Sequence, residues 1–319
     1  MSESAPFAGR RPLGGTGLQV APLCLGGNVF GWTADEPTSY AVLDAYVGAG
    51  GNFIDTADAY SAWKPGNVGG ESETIIGDWM AARGNRDQMI IATKVGKLPS
   101  AAGLSPDTIR RAAHDSLTRL RTDSIDLYYA HLDDHAVPLE DSLGAFDQLV
   151  REGKVRHVAA SNFSAARLAE AIAVSAEEGL APLVALQNHY NLAERAGYED
   201  SVREVVDSNG LASLPFYGLA RGFLTGKYRA GQIVDSPRAE GVAQYANPRG
   251  ERILAALEQC AHRHGTTSAA VSLAWLLAQP TITAPIASAR NTDQLDDLRA
   301  MTSLQLTTDD LAELDRVSA

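Results

Sequence analysis

Residues 52–60 read NFIDTADAY. Asn52 to Ile54 have the apolar, extended character of a buried strand, yet the segment runs without a break into Asp55, Asp58 and Tyr60, side chains whose burial costs free energy unless they are paired. A core strand that ends in an acid and carries a phenol five residues on belongs to an architecture that gathers strand ends into one place. Asp58 is read as a cap of the loop.

Working outward from this stretch, short apolar or β-branched runs alternate with longer amphipathic stretches almost from end to end. The strand candidates are PLCLGG (22–27), NFIDT (52–56), MIIATKV (89–95), SIDLYYAH (124–131), VRHVAASN (155–162), LVALQNH (183–189), LASLPF (211–216) and TAPIAS (283–288). Helical patterns such as YAVLDAYVGAG, SETIIGDWMAARG, SPDTIRRAAHDSLTRLR and AARLAEAIAVSAEEG fill the gaps. Ser105-Pro106-Asp107 supplies an N-cap, a first-turn proline and an acid. Pro138 with Glu140 and Asp141 marks another start, and Gly50, Gly84 and Gly179 stand where C-terminal caps belong.

Eight β-then-α units predict an α/β fold whose parallel sheet closes on itself, a (β/α)8 TIM barrel with residues 1–319 as one domain. The alternative is an open doubly wound sheet, which announces itself by a glycine-rich phosphate turn after its first strand. Gly26-Gly27-Asn28 lacks that GxGxxG spacing. Two insertions, residues 57–70 and 222–248, follow strands, so in a barrel both lie on the C-terminal face where active sites are built.

The 319-residue chain suits a single barrel, and its 45% hydrophobic content supplies ample core. A net charge of −12 without clustered Lys and Arg argues against a nucleic-acid surface. The N-terminal MSESAPFAGRRPLGG has no signal-like apolar core and no run reaches membrane-spanning length, so a cytoplasmic protein without a membrane partner is expected. Two cysteines, Cys24 and Cys260, form no CxxC pattern; neither a structural disulfide nor a metal site is expected. No self-complementary apolar patch stands out, and a monomer is the default.

In a barrel, Asp55 and Tyr60 stand at the end of the second strand, Lys94 near the end of the third and His131 at the close of the fourth, all at one mouth. Each alone has an ordinary role: a turn cap, a half-buried packing ring, a snorkelling stem, a hydrogen-bonded core imidazole. Four polar side chains on three successive strand ends would be costly as packing alone. An ammonium beside a phenol favours the phenolate and pulls its pKa down toward the working range, while a carboxylate keeps the ammonium charged. The histidine orients a carbonyl oxygen. Such a site protonates an oxyanion as it forms from a carbonyl, and it lacks only a hydride donor.

These residues resemble the Asp, Tyr, Lys and His tetrad of the aldo-keto reductases, within FIDTADAY, ATKVG and DLYYAHLDD. The resemblance extends over nearly the whole chain: GGTGLQVAPLCLGG is similar to the family's N-terminal hairpin and first strand, and GKVRHVAASNFS, LQNHYNL, FYGLARGFLTGKY and PIASARNTDQLDDL to later strands and their loops. It implies a barrel with an N-terminal β-hairpin and extra C-terminal helices, and a nicotinamide dinucleotide laid across the mouth. By resemblance, Ser161, Asn162 and Gln187 hold the carboxamide and Phe216, at a position commonly Tyr, stacks on the nicotinamide. Arg221, Gly222 and Lys227 wrap the pyrophosphate, and Asn28 and Leu219 also touch the cofactor. Ser288, Arg290, Gln294 and Asp297 form the adenosine-phosphate pocket, where a helix start at Asn291 offers N–H groups to an anion. Arg290 as partner of a 2′-phosphate implies NADPH; Gln294 where many members have Arg, and Leu298 where many have Asn, leave NADH use open.

The expected reaction is reduction of an aldehyde or ketone to an alcohol, with Tyr60 as general acid. Walls from Trp32, Trp63, Leu132, Tyr190 and the 222–248 loop suit an apolar or cyclic carbonyl, a keto-sugar included, and equally allow a small aldehyde. The alternative is a cofactor-binding regulatory or redox-sensing subunit resembling the potassium-channel β subunits.

Overall fold

Each of the eight apolar runs forms a strand: β1 Cys24–Gly26, β2 Phe53–Asp55, β3 Ile90–Val95, β4 Ile125–Ala130, β5 Val155–Ser161, β6 Leu183–Gln187, β7 Ala212–Ser213 and β8 Ile286–Ala287. This computed structural model describes Phe7 and residues 9–228 and 239–319. Part of the expected 222–248 loop, residues 229–238, therefore lies outside the described residues.

All neighbouring strands pair in parallel, in the spatial order β8-β1-β2-β3-β4-β5-β6-β7. The edges meet: Ser213 bridges Ile282, the Thr283 amide donates to the Ser213 carbonyl (2.9 Å), and the Ile286 amide donates to the Pro215 carbonyl (2.9 Å). The β7 and β8 ladders are shorter than the sequence pattern because Pro215 and Pro285 have no N–H to give. Their carbonyls still accept, Pro285 from the Cys24 amide at 3.0 Å.

Closure divides the apolar residues into two layers. Inside the barrel Cys24, Phe53, Ile90, Ala92, Leu127 and Tyr129 pack with their counterparts from the other strands. Leu13 and Val20 join them from an antiparallel hairpin, Arg11–Pro12 with Gln19–Val20, that plugs the N-terminal end. The larger layer lies between the strands and the helices α1 Glu36–Gly48, α2 Glu71–Arg83, α3 Pro106–Leu120, α4 Leu139–Arg151, α5 Ala165–Glu177, α6 Val202–Ser208, α7 Pro248–His264, α8 Ser268–Ala278, α9 Thr292–Arg299 and α10 Thr308–Ser318. Strands buried on both faces read as continuous apolar runs.

Helix ends follow their local chemistry. The Ser105 hydroxyl accepts from the Thr108 amide, Pro138 precedes α4, and Gly84 closes α2 in the left-handed conformation. Cys24 and Cys260 are both buried and free.

Candidate active site

Strand periodicity builds the site. Phe53, Ala92, Tyr129, Ala159 and Ala185 face the barrel interior, so Asp55, Lys94, His131, Ser161 and Gln187, each two residues further along, stand above them on the same side. Five polar groups thus crown five apolar ones at the C-terminal ends of neighbouring strands.

Lys94 Nζ, fully buried, donates to Asp55 Oδ2 at 2.7 Å, to the Thr56 carbonyl at 2.8 Å and to the Tyr60 hydroxyl at 2.8 Å. The Tyr60 hydroxyl lies 3.1 Å from the same Asp55 oxygen, and the Gln187 amide donates to Asp55 Oδ1 at 2.8 Å. The imidazole of His131 meets the Tyr60 ring edge-on with centroids 6.1 Å apart. These four side chains are brought together as their strand positions predict.

Their electrostatics differ from the sequence expectation in one respect. Burial, and then the Asp55 charge and hydrogen bond, push the Tyr60 phenol well above its ordinary value rather than down. Burial lowers the Lys94 ammonium, against the upward pull of Asp55, and Asp55 answers much of the positive field meant for the phenol. His131 is lowered well below its ordinary value by burial, then by Lys94 and Lys97, and stays neutral through the neutral range. Protonated phenol, charged lysine and neutral imidazole make a proton-donating arrangement.

Tyr60 and His131 open onto a cavity of about 940 Å³, large enough for a dinucleotide and a small second molecule. Its lining includes Asn28, Trp32, Asp55, Trp63, Ser161, Asn162, Gln187, Phe216, Leu219, Arg221, Gly222, Lys227, Ser288, Arg290, Gln294 and Asp297. Both insertions contribute to this wall, through Tyr60 and Trp63 and through Gly222 and Lys227.

Two expected wall residues are elsewhere. Tyr190, 1% exposed, packs on Tyr198 and Trp275 and donates to Glu199 at 2.6 Å, so it is a core ring; it lies three residues beyond Gln187, past the end of β6, and does not line the cavity. Leu132 is half-buried next to His131 and does not line the cavity. Asp58 is no loop cap: its carboxylate oxygens are buried without a hydrogen-bond partner.

Several lining groups are already hydrogen-bonded. Asn162, in a left-handed conformation (φ 62°), donates to the His131 carbonyl and the Ser161 hydroxyl, both at 2.9 Å. The Ser288 hydroxyl donates to Asn28 Oδ1 at 2.6 Å, and a Cβ on Gly26 would come within 2.6 Å of that hydroxyl. At the start of α9 Asn291 accepts from the Gln294 amide and the Gln294 side chain accepts from the Arg290 amide. The Arg290 side chain is exposed and has no ion pair among the described residues.

Sequence reasoning missed Lys97, Pro99, His189 and Tyr217 as lining residues. His189 carried a signal: it follows Gln187 by two, on the same face, and stacks on Phe216 with centroids 5.5 Å apart. Arg221 covers the Tyr217 ring at 4.2 Å. Away from the mouth, Cys260, His264 and Asp310 also converge, with ligand atoms within 4.8 Å. Asp310 is occupied there by Arg263, His264 and the Thr307 cap, and burial pushes the Cys260 thiol up to about 11.

Residues 22–319 match the model of the aldo/keto reductase family. The chain is 33% identical over 329 residues to Protein tas of Escherichia coli (strain K12), covering 94% of each chain. It is 36% identical over 296 residues to the uncharacterized oxidoreductase YrpG of Bacillus subtilis (strain 168), covering 89% of this chain and 88% of that protein. With norsolorinic acid reductase stcV of Emericella nidulans it shares 30% over 317 residues, 94% of this chain and 78% of the relative. The chain belongs to the aldo/keto reductase family, oxidoreductases that act on carbonyl groups and in general use a nicotinamide cofactor. Among the described residues no helix is long and apolar enough to cross a membrane.

Proposed function

We propose that the protein reduces an aldehyde or ketone to an alcohol with NADPH, Tyr60 giving its proton to the carbonyl oxygen. The observation that carries this reading is the Tyr60 hydroxyl at the cavity wall, held 2.8 Å from a fully buried ammonium that is itself fixed by Asp55 and the Thr56 carbonyl. A bound reduced nicotinamide supplies the hydride that the carbonyl carbon receives.

The chain's residues fit such a group. Phe216 offers an aromatic face on the cavity wall, Ser161 and Asn162 carry polar groups at the mouth, and Gln187 keeps a free amide oxygen after donating to Asp55. Near Arg221 and Lys227 the backbone takes left-handed conformations at Arg221, Gly222 and Gly226, and the two glycines, without a Cβ, would let a pyrophosphate approach closely. Leu219 adds an apolar contact. Ser288, Asn28, Gln294 and Asp297 frame the adenosine end, and Arg290, free of any ion pair among the described residues, supports NADPH over NADH.

When a carbonyl binds beside Tyr60 and His131, the neutral imidazole orients its oxygen toward the phenol. Lys94 then answers the negative charge left as the phenolic proton moves, and Asp55 keeps Lys94 in place. Trp32 and Trp63, edge-to-face with centroids 5.6 Å apart, and Trp63 against Tyr60 at 6.0 Å give the substrate side an aromatic wall. That wall supports an apolar or cyclic carbonyl.

The test follows NADPH and NADH absorbance against aldehydes, ketones and keto-sugars, with Tyr60→Phe beside the native protein. NADPH oxidation that Tyr60→Phe abolishes, cofactor binding retained, is the expected result. Binding without turnover of any carbonyl would instead support the regulatory or sensing reading.

A further inference from the structure

Behind the tetrad lies a carboxyl group that the reaction as described does not use. Thr56 and Asp58 turn toward the helical layer: the Thr56 hydroxyl donates to Ser72 at 2.9 Å, and Asp58, fully buried, has no hydrogen-bond partner for either carboxylate oxygen. The groups facing Asp58 are Glu73 of α2, Arg119 of α3, Lys94 of β3 and Tyr128 of β4. Glu73 is satisfied, accepting from the Thr93 hydroxyl at 2.5 Å and from Arg119 at 2.6 Å, so the one arginine is already committed. The Tyr128 hydroxyl is also buried without a partner.

The same loop is fastened to Lys94. Its Thr56 amide donates to the Ala92 carbonyl (2.8 Å) and its Asp58 amide to the Lys94 carbonyl (3.2 Å), while Lys94 Nζ reaches back to the Thr56 carbonyl. Tyr60 follows two residues later, its amide bound to Ala57. Asp58 is thus tied through its backbone to Lys94 and to the turn that holds the phenol, and its carboxyl and the Lys94 ammonium each act on the other's charge.

We propose that Asp58 is a positioning residue for the Lys94–Tyr60 pair, and that the charge on its carboxyl, acting through Lys94 and the loop, tunes how readily the phenol gives up its proton. This rests on the proposed reductase activity. Burial and then the Glu73 charge raise Asp58 to about 7, against the opposing pulls of Arg119, of the neighbouring Ala59 amide, which lies outside hydrogen-bond geometry, and of Lys94. Below that pH the carboxyl is neutral and the field of Lys94 on the phenol is opposed chiefly by Asp55. Above it a second anion offsets that field, and proton donation slows.

The experiment measures single-turnover NADPH oxidation by one neutral aldehyde from about pH 5.5 to about pH 9, with NADPH affinity read separately by fluorescence. The native rate should fall by about threefold or more through about pH 7, to a shoulder before the alkaline loss. Asp58→Asn, fixed in the neutral form, should hold the low-pH rate across that interval, and Glu73→Gln should move the step to lower pH, both with unchanged NADPH affinity. A step that persists in Asp58→Asn, or a loss by the same factor at every pH, overturns the proposal. Should Asp58→Asn not fold, a step left in place by Glu73→Gln overturns it.

Infrared difference spectra of native protein against Asp58→Asn, or against Glu73→Gln, give a readout independent of turnover. The protonated carboxyl band should vanish as pH rises through about 7; a band that persists or never forms sinks the charge-state argument. Native protein that binds NADPH but reduces no carbonyl overturns the reductase reading instead, and the two failures are thereby separated.

Discussion

Asp55 Oδ2 lies 2.7 Å from Lys94 Nζ, and neither side chain reaches solvent. A buried pair of this kind contributes little net stability when intact, but removing one partner strands a charge in a low-dielectric interior. Lys94→Met should therefore cost about 3–5 kcal/mol in denaturant unfolding and lower the reduction rate by about 10²–10⁴-fold. Asp55→Asn should leave cofactor binding nearly intact while slowing turnover. A Lys94→Met protein of native stability would mean that Asp55 takes up a proton or finds other partners.

The pH profile of reduction should lack an acid limb. His131 is held neutral by burial, so lowering the pH through about 6.5 changes nothing on it until well below that value. On the alkaline side the sign is set by loss of protons: burial has lowered Lys94 and raised Tyr60, so the ammonium is the group whose loss disarms the phenol. The measurement is kcat/KM for reduction from about pH 5 to about pH 10. A bell with an acid limb near the ordinary histidine value would contradict a neutral His131.

Much of this was legible in the sequence because the fold depends on periodicities that survive in one chain. All eight strands were found from apolar runs, and the tetrad followed from noticing polar groups at three strand ends. What the sequence could not carry was direction in space. Tyr190 reads as a wall of the mouth, an aromatic just past the sixth strand, but at three residues past Gln187 it has the opposite facing and lies in the outer core. The sign of the Tyr60 shift escapes the sequence for a similar reason: a sequence shows that lysine and phenol approach, not how completely the phenol is buried, nor that one Asp55 oxygen touches both. Asp58 needed the two helices that bury it, and their distance in sequence hides that contact.

Arg290→Ala should separate the two nicotinamide cofactors. The guanidinium makes no ion pair among the described residues, so its loss should cost the apo fold little. A charged contact to a 2′-phosphate contributes about 1.5–3 kcal/mol, so NADPH affinity should fall by about 10–100-fold with NADH affinity nearly unchanged. Equal losses for both, by fluorescence titration, would place Arg290 elsewhere on the cofactor.

Gly77 of α2 is fixed by helix packing rather than by a turn. A Cβ there would lie 2.2 Å from the Arg119 carbonyl and 2.7 Å from Leu120 backbone atoms at the end of α3. Backbone on the neighbouring helix gives way only by moving the helix. Gly77→Ala should cost about 1–3 kcal/mol and, because α2 and α3 carry Glu73 and Arg119, should also disturb the Asp58 enclosure. Thermal melts would expose the opposite case, in which the variant gains helix propensity and loses nothing.

Asp58 also makes stability depend on pH in an unusual sense. Its folded-state pKa of about 7 is raised above the ordinary carboxylate value, so between the two the folded protein binds a proton that the unfolded chain has released. Stability from this group is present below about pH 4, declines as pH rises to about 7 and is then level, a loss on the order of 4 kcal/mol at most. Most carboxylates are lowered on folding and act in the reverse direction, so the contribution is best read as a difference. Asp58→Asn should erode less between about pH 5 and about pH 8 than native protein does, in urea unfolding at each pH. Parallel curves for the two proteins would mean that Asp58 is ionised throughout, with Arg119 serving both carboxylates.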